Sequence, residues 1–318
     1  MYKKNKVALV VPAYNEQRLI GPTIERVPRL FDKVYVVDDG SKDKTSEIVK
    51  KHSKRDRRIE LVLHGTNKGV GQAIITGYER CLKENFDVAV VVGGDNQMPL
   101  EEVASFLDPI VKGEADYVKG NRFITENETF KDMPKTRLFA NSLISLLTKI
   151  ASGYYKIFDV VDGYTAISKN ALRAVKWSHA WKGYGYPMDF LIRLNTFDQR
   201  VKDVPRTAIY LKGERQSQIK PLSYLIKVSP MLFRGFLWRL WEKYVIRDFH
   251  PLVFFYLISF ILLPLGVVYG FYLLYLRFTV GGIALPGVIL DLFLLVSGLQ
   301  LFLFAMWFDM DYNRSLKA

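Results

Sequence analysis

Four short segments of this 318-residue chain carry side chains whose types and spacing suit chemistry on phosphates. Val37-Asp-Asp-Gly-Ser-Lys-Asp-Lys-Thr45 sets carboxylates beside a turn glycine, where Asp39 can accept hydrogen bonds from a base N–H or from ribose hydroxyls. Alone, Asp-Gly-Ser is an ordinary turn and Ser41 or Asp43 an ordinary helix N-cap. A second segment of the same kind, Val11-Pro-Ala-Tyr-Asn-Glu16, shifts the balance toward a site. Asn67-Lys-Gly-Val-Gly-Gln-Ala73 offers glycines for close backbone approach ahead of a helix N-terminus, a setting that favours phosphate groups. Without context, a short Gly-x-Gly is weak evidence. Gly93-Gly-Asp-Asn-Gln-Met-Pro99 supplies Asp95 and Gln97, hard oxygen ligands of the kind Mg²⁺ or Mn²⁺ needs to bridge a nucleotide diphosphate. Such an ion would neutralise charge on the leaving diphosphate.

Each segment follows a short, β-rich apolar run: Lys6–Pro12, Lys33–Asp38, Ile59–His64 and Asp87–Val92. Continuous apolar runs of this length predict buried parallel strands. Stretches of helical character lie between or after them, at Asp43–Lys54, Gly71–Glu84 and Leu100–Lys112. This alternation predicts a doubly wound, mostly parallel α/β sheet whose strand ends gather the ligand. A fifth strand is expected at Asp116–Gly120, a helix at Thr136–Ala151, and further mixed structure at Asp159–Ile167, Asp189–Thr196 and Val201–Tyr210.

Although 49% of the chain is hydrophobic and 24% charged, both ordinary values, the distribution is split. Residues 1–220 read as a charge-rich globular domain, 221–249 as interfacial amphipathic helix, 250–310 as two transmembrane helices (about 251–276 and 283–308) and 311–318 as a cytoplasmic tail. The first apolar run, Pro251–Leu276, has no charged residue and as a helix would reach about 39 Å, enough to cross a bilayer core of roughly 30 Å. Arg234, Arg239, Lys243 and Arg247 before the first span, and Arg314 and Lys317 after the second, outnumber Arg277 in the connecting loop. The catalytic domain and both termini are therefore expected in the cytoplasm. Lys3, Lys4 and Lys6 lead into a strand-like run, so no signal peptide is expected. The net charge of +13 fits either contact with anionic lipids and phosphorylated substrates or the positive-inside bias alone. Membrane lipids are expected partners and nucleic acid is not; oligomeric state stays open. Cys81, the sole cysteine, is expected in the core, and His52, His64, His179 and His250 lack metal-ligand spacing. Asp291, inside the second run, is either functional or snorkels to the nearer interface.

Pro12-Ala-Tyr-Asn-Glu16, Asp38-Asp-Gly-Ser41, Asn67-Lys-Gly69 and Gly94-Asp-Asn-Gln97, in this order on alternating strands, resemble the inverting family 2 glycosyltransferases. Within them the chain is similar to dolichyl-phosphate mannose synthases and related polyprenyl-phosphate glycosyltransferases, over residues 6 to about 220. The resemblance implies a GT-A fold. It also implies a nucleoside pocket lined by Pro12, Tyr14, Glu16, Val37 and Asp39, with Lys68, Gly93, Gly94 and Asp95 completing the nucleotide-sugar site and Asp95 with Gln97 on the metal. Two positions depart from the pattern. Gly93 stands where the family usually has the first Asp of Asp-x-Asp, and Gln218 follows Ser217 where Lys is usual.

The same resemblance implies a lipid-phosphate acceptor, which calls for cations. Arg122, Arg137 with Asn141 one turn on, and the group Lys212, Arg215 and Ser217 match acceptor or diphosphate positions, and arginine suits phosphate through bidentate hydrogen bonds. A phosphate is already anionic at neutral pH, so positioning and charge stabilisation suffice without a strong base. Asp162 and then Asp189 are the candidate acceptor-side carboxylates, and Asp95, Arg122, Asp162 and Asp189 the catalytic set. The expected reaction is an inverting displacement of GDP or UDP from a hexose such as mannose or glucose, giving a lipid-linked sugar. The rivals are a processive polysaccharide synthase, which usually carries Gln-x-x-Arg-Trp and more spans, and an impaired nucleotide-sugar binding protein, suggested by Gly93.

Overall fold

The computed structural model describes residues 1–123, 135–209 and 221–316, with only the backbone of 135–141 and 221–222. The chain separates into two compact units, Met1–Phe236 with Ser315–Ala318, and Leu237–Arg314.

The first unit holds seven strands: β1 Val7–Ala13, β2 Lys33–Asp38, β3 Ile59–Leu63, β4 Val88–Val91, β5 Tyr117–Asn121, β6 Thr165–Ser168 and β7 Val201–Pro205. They form one sheet in the order β3-β2-β1-β4-β6-β5-β7. All pairs are parallel except those of β6, which runs antiparallel to β4 and β5. The helices are α1 Ile20–Glu25, α2 Thr45–Ser53, α3 Val70–Lys83, α4 Val103–Val111, α5 Lys135–Ser152, α6 Lys169–Ala174, α7 Tyr186–Thr196 and α8 Pro221–Trp241. The sheet is apolar on both faces because helices cover both. On one, Leu9, Val36 and Val90 pack with Phe31, Phe106 and Leu107. On the other, α3 lies over β1 and β2 so closely that a Cβ on Gly77 would sit 2.2 Å from Val10 Cγ1.

Strand direction decides where the chemistry collects. The register pairs Pro12 with Val37 and Ala13 with Asp38, so the segments leaving β1 and β2 emerge side by side. Because β6 is antiparallel, Val91 at the end of β4 pairs with Thr165 at the start of β6. The segment entering β6, Asp159–Tyr164, therefore meets the segment leaving β4. Asn121 pairs with Pro205, which brings Arg122 and Arg206 to that same end.

Within the second unit, α8 ends and a π-helix, Glu242–Arg247, follows. α9 Leu252–Thr279 and α10 Leu285–Tyr312 then pack together, each long and apolar enough to cross a membrane. Gly298 permits close approach: its Cβ would lie 3.0 Å from the Leu263 backbone nitrogen. Asp291 faces α9, where a Cβ on Gly270 would lie 3.1 Å from its Oδ2, and its Oδ1 is buried without a hydrogen-bond partner among the described residues.

Arg239 and Lys243, read from the sequence as part of the interfacial amphipathic helix, are buried. The reason is a set of partners on α10. Arg239 donates from Nη1 to Asp309 Oδ1 at 2.9 Å and from Nη2 to Oδ2 at 2.8 Å. Lys243 Nζ donates to Asn313 Oδ1 at 2.8 Å, and the Tyr244 hydroxyl donates to Asp309. Asp309→Ala would strand the guanidinium without its anion and is expected to cost about 3–5 kcal/mol, read as a lower unfolding temperature in detergent micelles. The double variant Arg239→Met, Asp309→Leu, which removes both charges, is expected to lose much less.

Candidate active site

The expected donor side is built on the carboxylate at the end of β2. Asp39 is 2% exposed, its own N–H donates to Ala13 O, and its carboxylate gathers three partners. Lys68 N donates to Oδ1 at 2.9 Å, Gly69 N donates to Oδ2 at 2.8 Å, and His64 Nδ1 lies 2.7 Å from Oδ1. His64 Nε2 is in turn 3.0 Å from Thr76 Oγ1 on α3. Beside it, Asp38 receives Ser41 N at 2.8 Å and the Ser46 hydroxyl. The β1 and β2 loops are laced together: Asn15 N donates to Ser41 Oγ, Lys42 N to Asn15 Oδ1, and Glu16 N to Thr45 Oγ1. Pro12 accepts Gly94 N at 3.2 Å, Tyr14 is exposed and Val37 is fully buried.

The expected phosphate setting at the start of α3 is corrected by the structure. Gly71 N donates to Lys182 O at 2.8 Å, and Cβ atoms on Gly69 and Gly71 would lie 2.3 Å from Lys182 O and 2.4 Å from Trp181 O. The glycines admit a neighbouring loop, and a carbonyl occupies the helix N-terminus that a phosphate would need. That loop is fixed by Asp189, in the first turn of α7, which accepts Trp181 N at 2.8 Å and Arg193 Nε at 2.7 Å.

Asp162 is the hub on the other side. Arg206 donates to its Oδ2 from Nε at 2.8 Å and Nη2 at 2.6 Å, Arg122 Nε lies 3.2 Å from the same oxygen, and Tyr164 N donates to Oδ1. Arg122 also grips Asp159, from Nε at 2.7 Å and Nη2 at 3.0 Å. Burial alone would raise the Asp159 carboxyl, but Arg122 and Lys119 outweigh it and hold it below its usual value. Lys119 is wholly buried and donates to Asp162 O at 2.7 Å. Burial pushes its ammonium down against the pull of Asp159, Asp162 and Asp203. Asp203 is raised by burial.

Three cations (Lys119, Arg122 and Arg206) thus stand among three carboxylates (Asp159, Asp162 and Asp203). Asp95 is a fourth. Burial raises its carboxyl, Gln97 N donates to it at 3.2 Å, and among the described residues no cation lies within ion-pair distance. Arg206 reaches its loop through Gln97 O at 3.3 Å. A half-buried carboxylate with no ion-pair partner among the described residues fits a divalent ion. Among the described residues no three His, Cys, Asp or Glu side chains group as a ligand set; Asp95 and Gln97 offer oxygen donors of the kind Mg²⁺ or Mn²⁺ takes together with water and phosphate oxygens. Glycine at 93 leaves room for Asp95: a Cβ there would lie 2.9 Å from Asp95 Oδ1.

Asp95, Gln97, Arg122 and Asp162 are brought together by the sheet, whereas Asp189, in α7, holds the loop that packs on α3. The side chains of Arg137 and Asn141, and all of Lys212, Arg215 and Ser217, lie outside the described residues. His64, Lys119, Asp159 and Arg206 were not singled out as site residues by sequence reasoning. The register partner of Leu63 is Asp38, so His64 follows directly opposite Asp39, a signal the strand pattern carries. For Arg206 there is none short of the fold.

The family model for glycosyl transferase family 2 matches residues 8–176. A UDP-N-acetylglucosamine–dolichyl-phosphate N-acetylglucosaminyltransferase of Methanococcus voltae is 31% identical over 217 residues, covering 64% of this chain and 86% of that protein. A polyprenol monophosphomannose synthase of Mycolicibacterium smegmatis is 28% identical, covering 64% and 77%. Glucosyl-3-phosphoglycerate synthase of Mycobacterium tuberculosis, solved with UDP, superposes with a TM-score of 0.54 at 21% identity over 74% of this chain and 80% of that one. Another crystal of that enzyme holds Mn²⁺ and UDP-glucose. The fold is of the GT-A type. The chain belongs to glycosyl transferase family 2 and is a glycosyltransferase.

Proposed function

We propose that this protein transfers one hexose, or its N-acetylamino derivative, from a nucleotide sugar to a polyprenyl or dolichyl phosphate with inversion at the anomeric carbon. The observation that carries this reading is the placement of a half-buried carboxylate without an ion-pair partner among the described residues, Asp95, on the side of the sheet where Arg122 and Arg206 are oriented, in a chain with two membrane-length helices. The relatives named for dolichyl and polyprenyl phosphates support the acceptor class.

In the proposed reaction a phosphate oxygen of the lipid attacks the anomeric carbon while the bond to the nucleoside diphosphate breaks and that group leaves. Asp95 and Gln97 would hold Mg²⁺ or Mn²⁺, which when bound supplies positive charge to the departing diphosphate. Pro12, Tyr14, Glu16, Val37 and the Asp39 loop, with Lys68, Gly93 and Gly94, shape the donor site. Arg122, whose side chain is 27% exposed, is held by Asp159 and Asp162 as a pre-oriented cation for the acceptor phosphate. Asp162, fully buried between two guanidinium groups, is an orienting group, and the anionic acceptor needs no base. Arg137, Asn141, Lys212, Arg215 and Ser217 are assigned to the acceptor phosphate as well. Residues 1–220 form the catalytic domain and 221–249 the interfacial segment. α9 and α10 make a membrane hairpin, and the basic flanks place the catalytic domain and both termini in the cytoplasm. Glycine at position 93 favours a second reading, a nucleotide-sugar binding protein without transfer.

Asp95→Asn keeps shape and removes charge. Transfer is expected to fall by roughly a hundredfold or more, with metal-dependent nucleotide binding weakened in a Mn²⁺ titration; wild-type transfer at saturating metal would remove Asp95 from the site. Asp39→Asn sets an amide NH₂ against a backbone N–H at a cost of about 1–3 kcal/mol. Weaker UDP or GDP binding is expected by titration calorimetry.

A further inference from the structure

Among the large apolar side chains that the first unit exposes, two groups lie on elements that touch each other. Tyr184 is 71% and Trp181 41% exposed in the loop before α7, while Ile226 is 67% and Phe233 56% exposed on α8. The Tyr224 hydroxyl on α8 donates to Tyr184 O at 3.2 Å, and a Cβ on Gly185 would lie 2.9 Å from Met231 Cε. Val228, Met231, Leu232 and Phe236 form the buried side of α8, and the exposed side adds Lys227 and Arg234, seven residues apart as are Ile226 and Phe233. Seven-residue spacing keeps each pair on one stripe. Lys182 is exposed in the loop. From Trp177 to Met188 and from Pro221 to Trp241 there is no Asp or Glu.

Exposed aromatic and aliphatic groups interleaved with cations and free of acids match a bilayer headgroup layer, where rings sit at the acyl boundary and ammonium or guanidinium groups meet lipid phosphates. We propose that the Trp181–Tyr184 loop is a second membrane contact, docking with the exposed side of α8 onto an anionic bilayer. This rests on the reading above, which places α8 at the membrane, and adds both the loop and the preference for anionic lipid. The loop is held rigidly enough to serve: Asp189 fixes Trp181 N, and Lys182 O is tied to Gly71.

The test uses the full chain in nanodiscs of phosphatidylcholine with phosphatidylglycerol. A fluorophore is attached at Tyr184→Cys in a Cys81→Ala background and read by quenching from headgroup-depth spin-labelled lipids. Strong lipid quenching is expected at 184 and none at a control label on the exposed Lys51→Cys. Each of Lys182→Glu, Lys227→Glu and Arg234→Glu should shift docking by roughly fivefold. Quenching that is absent at 184, or unchanged in phosphatidylcholine alone, overturns the proposal. A label at Ile261→Cys, on the exposed face of α9 and read with acyl-chain spin-labelled lipids, separates the two readings. If it is quenched while 184 is not, the hairpin is inserted and the loop contact is wrong. If neither is quenched, membrane insertion itself is wrong.

Discussion

The carboxylate of Asp39 is the interaction on which the donor side rests. It ties the end of β2 to the end of β3 and to the loop that follows β3, because Lys68 N, Gly69 N and His64 all converge on its two oxygens. Without them the Asp39 carboxylate, 2% exposed, would be buried unsatisfied, a cost of about 1–3 kcal/mol or more. The glycines of this loop are then needed for a second reason: only without a Cβ at 69 and 71 does the Lys182 carbonyl reach the start of α3. Donor loop, helix and the loop before α7 are one hydrogen-bonded assembly, with Asp189 at its far end.

On the acceptor side electrostatics takes over that organising role. The one antiparallel strand, β6, turns the chain so that Asp159 and Asp162 arrive beside Arg122 and Arg206. Buried charges persist only when paired; Arg122 and Arg206 pair with Asp159 and Asp162, whereas Asp95 has no ion-pair partner among the described residues. In the proposed reaction this asymmetry gives the site its direction, with the leaving diphosphate toward Asp95 and the acceptor phosphate toward Arg122.

Much of this was legible in the sequence, and the reason is physical. Parallel strands buried on both faces read as continuous apolar runs, so β2 is found where Lys33–Asp38 predicts it, and β1, β3 and β4 lie within a residue of theirs. The motifs at their ends follow directly. What was not legible is pairing at long range. Asp162 and Arg206 are joined across 44 positions, and Arg239 and Asp309 across 70. A lone arginine in an amphipathic pattern reads as solvated, and only its partner says otherwise. Lys119, embedded in a strand, likewise shows no sign of its burial until Asp159, Asp162 and Asp203 surround it.

The central claim is that the acceptor must be a phosphate on a polyprenyl chain. The most direct measurement offers radiolabelled GDP-mannose, UDP-glucose and UDP-N-acetylglucosamine separately to the purified protein with Mn²⁺, and either a short polyprenyl phosphate or the corresponding free polyprenol. The account predicts lipid-extractable label from one donor with the phosphate acceptor and none with the alcohol. Equal labelling of the alcohol, or nucleotide binding with no transfer from any donor, would contradict it.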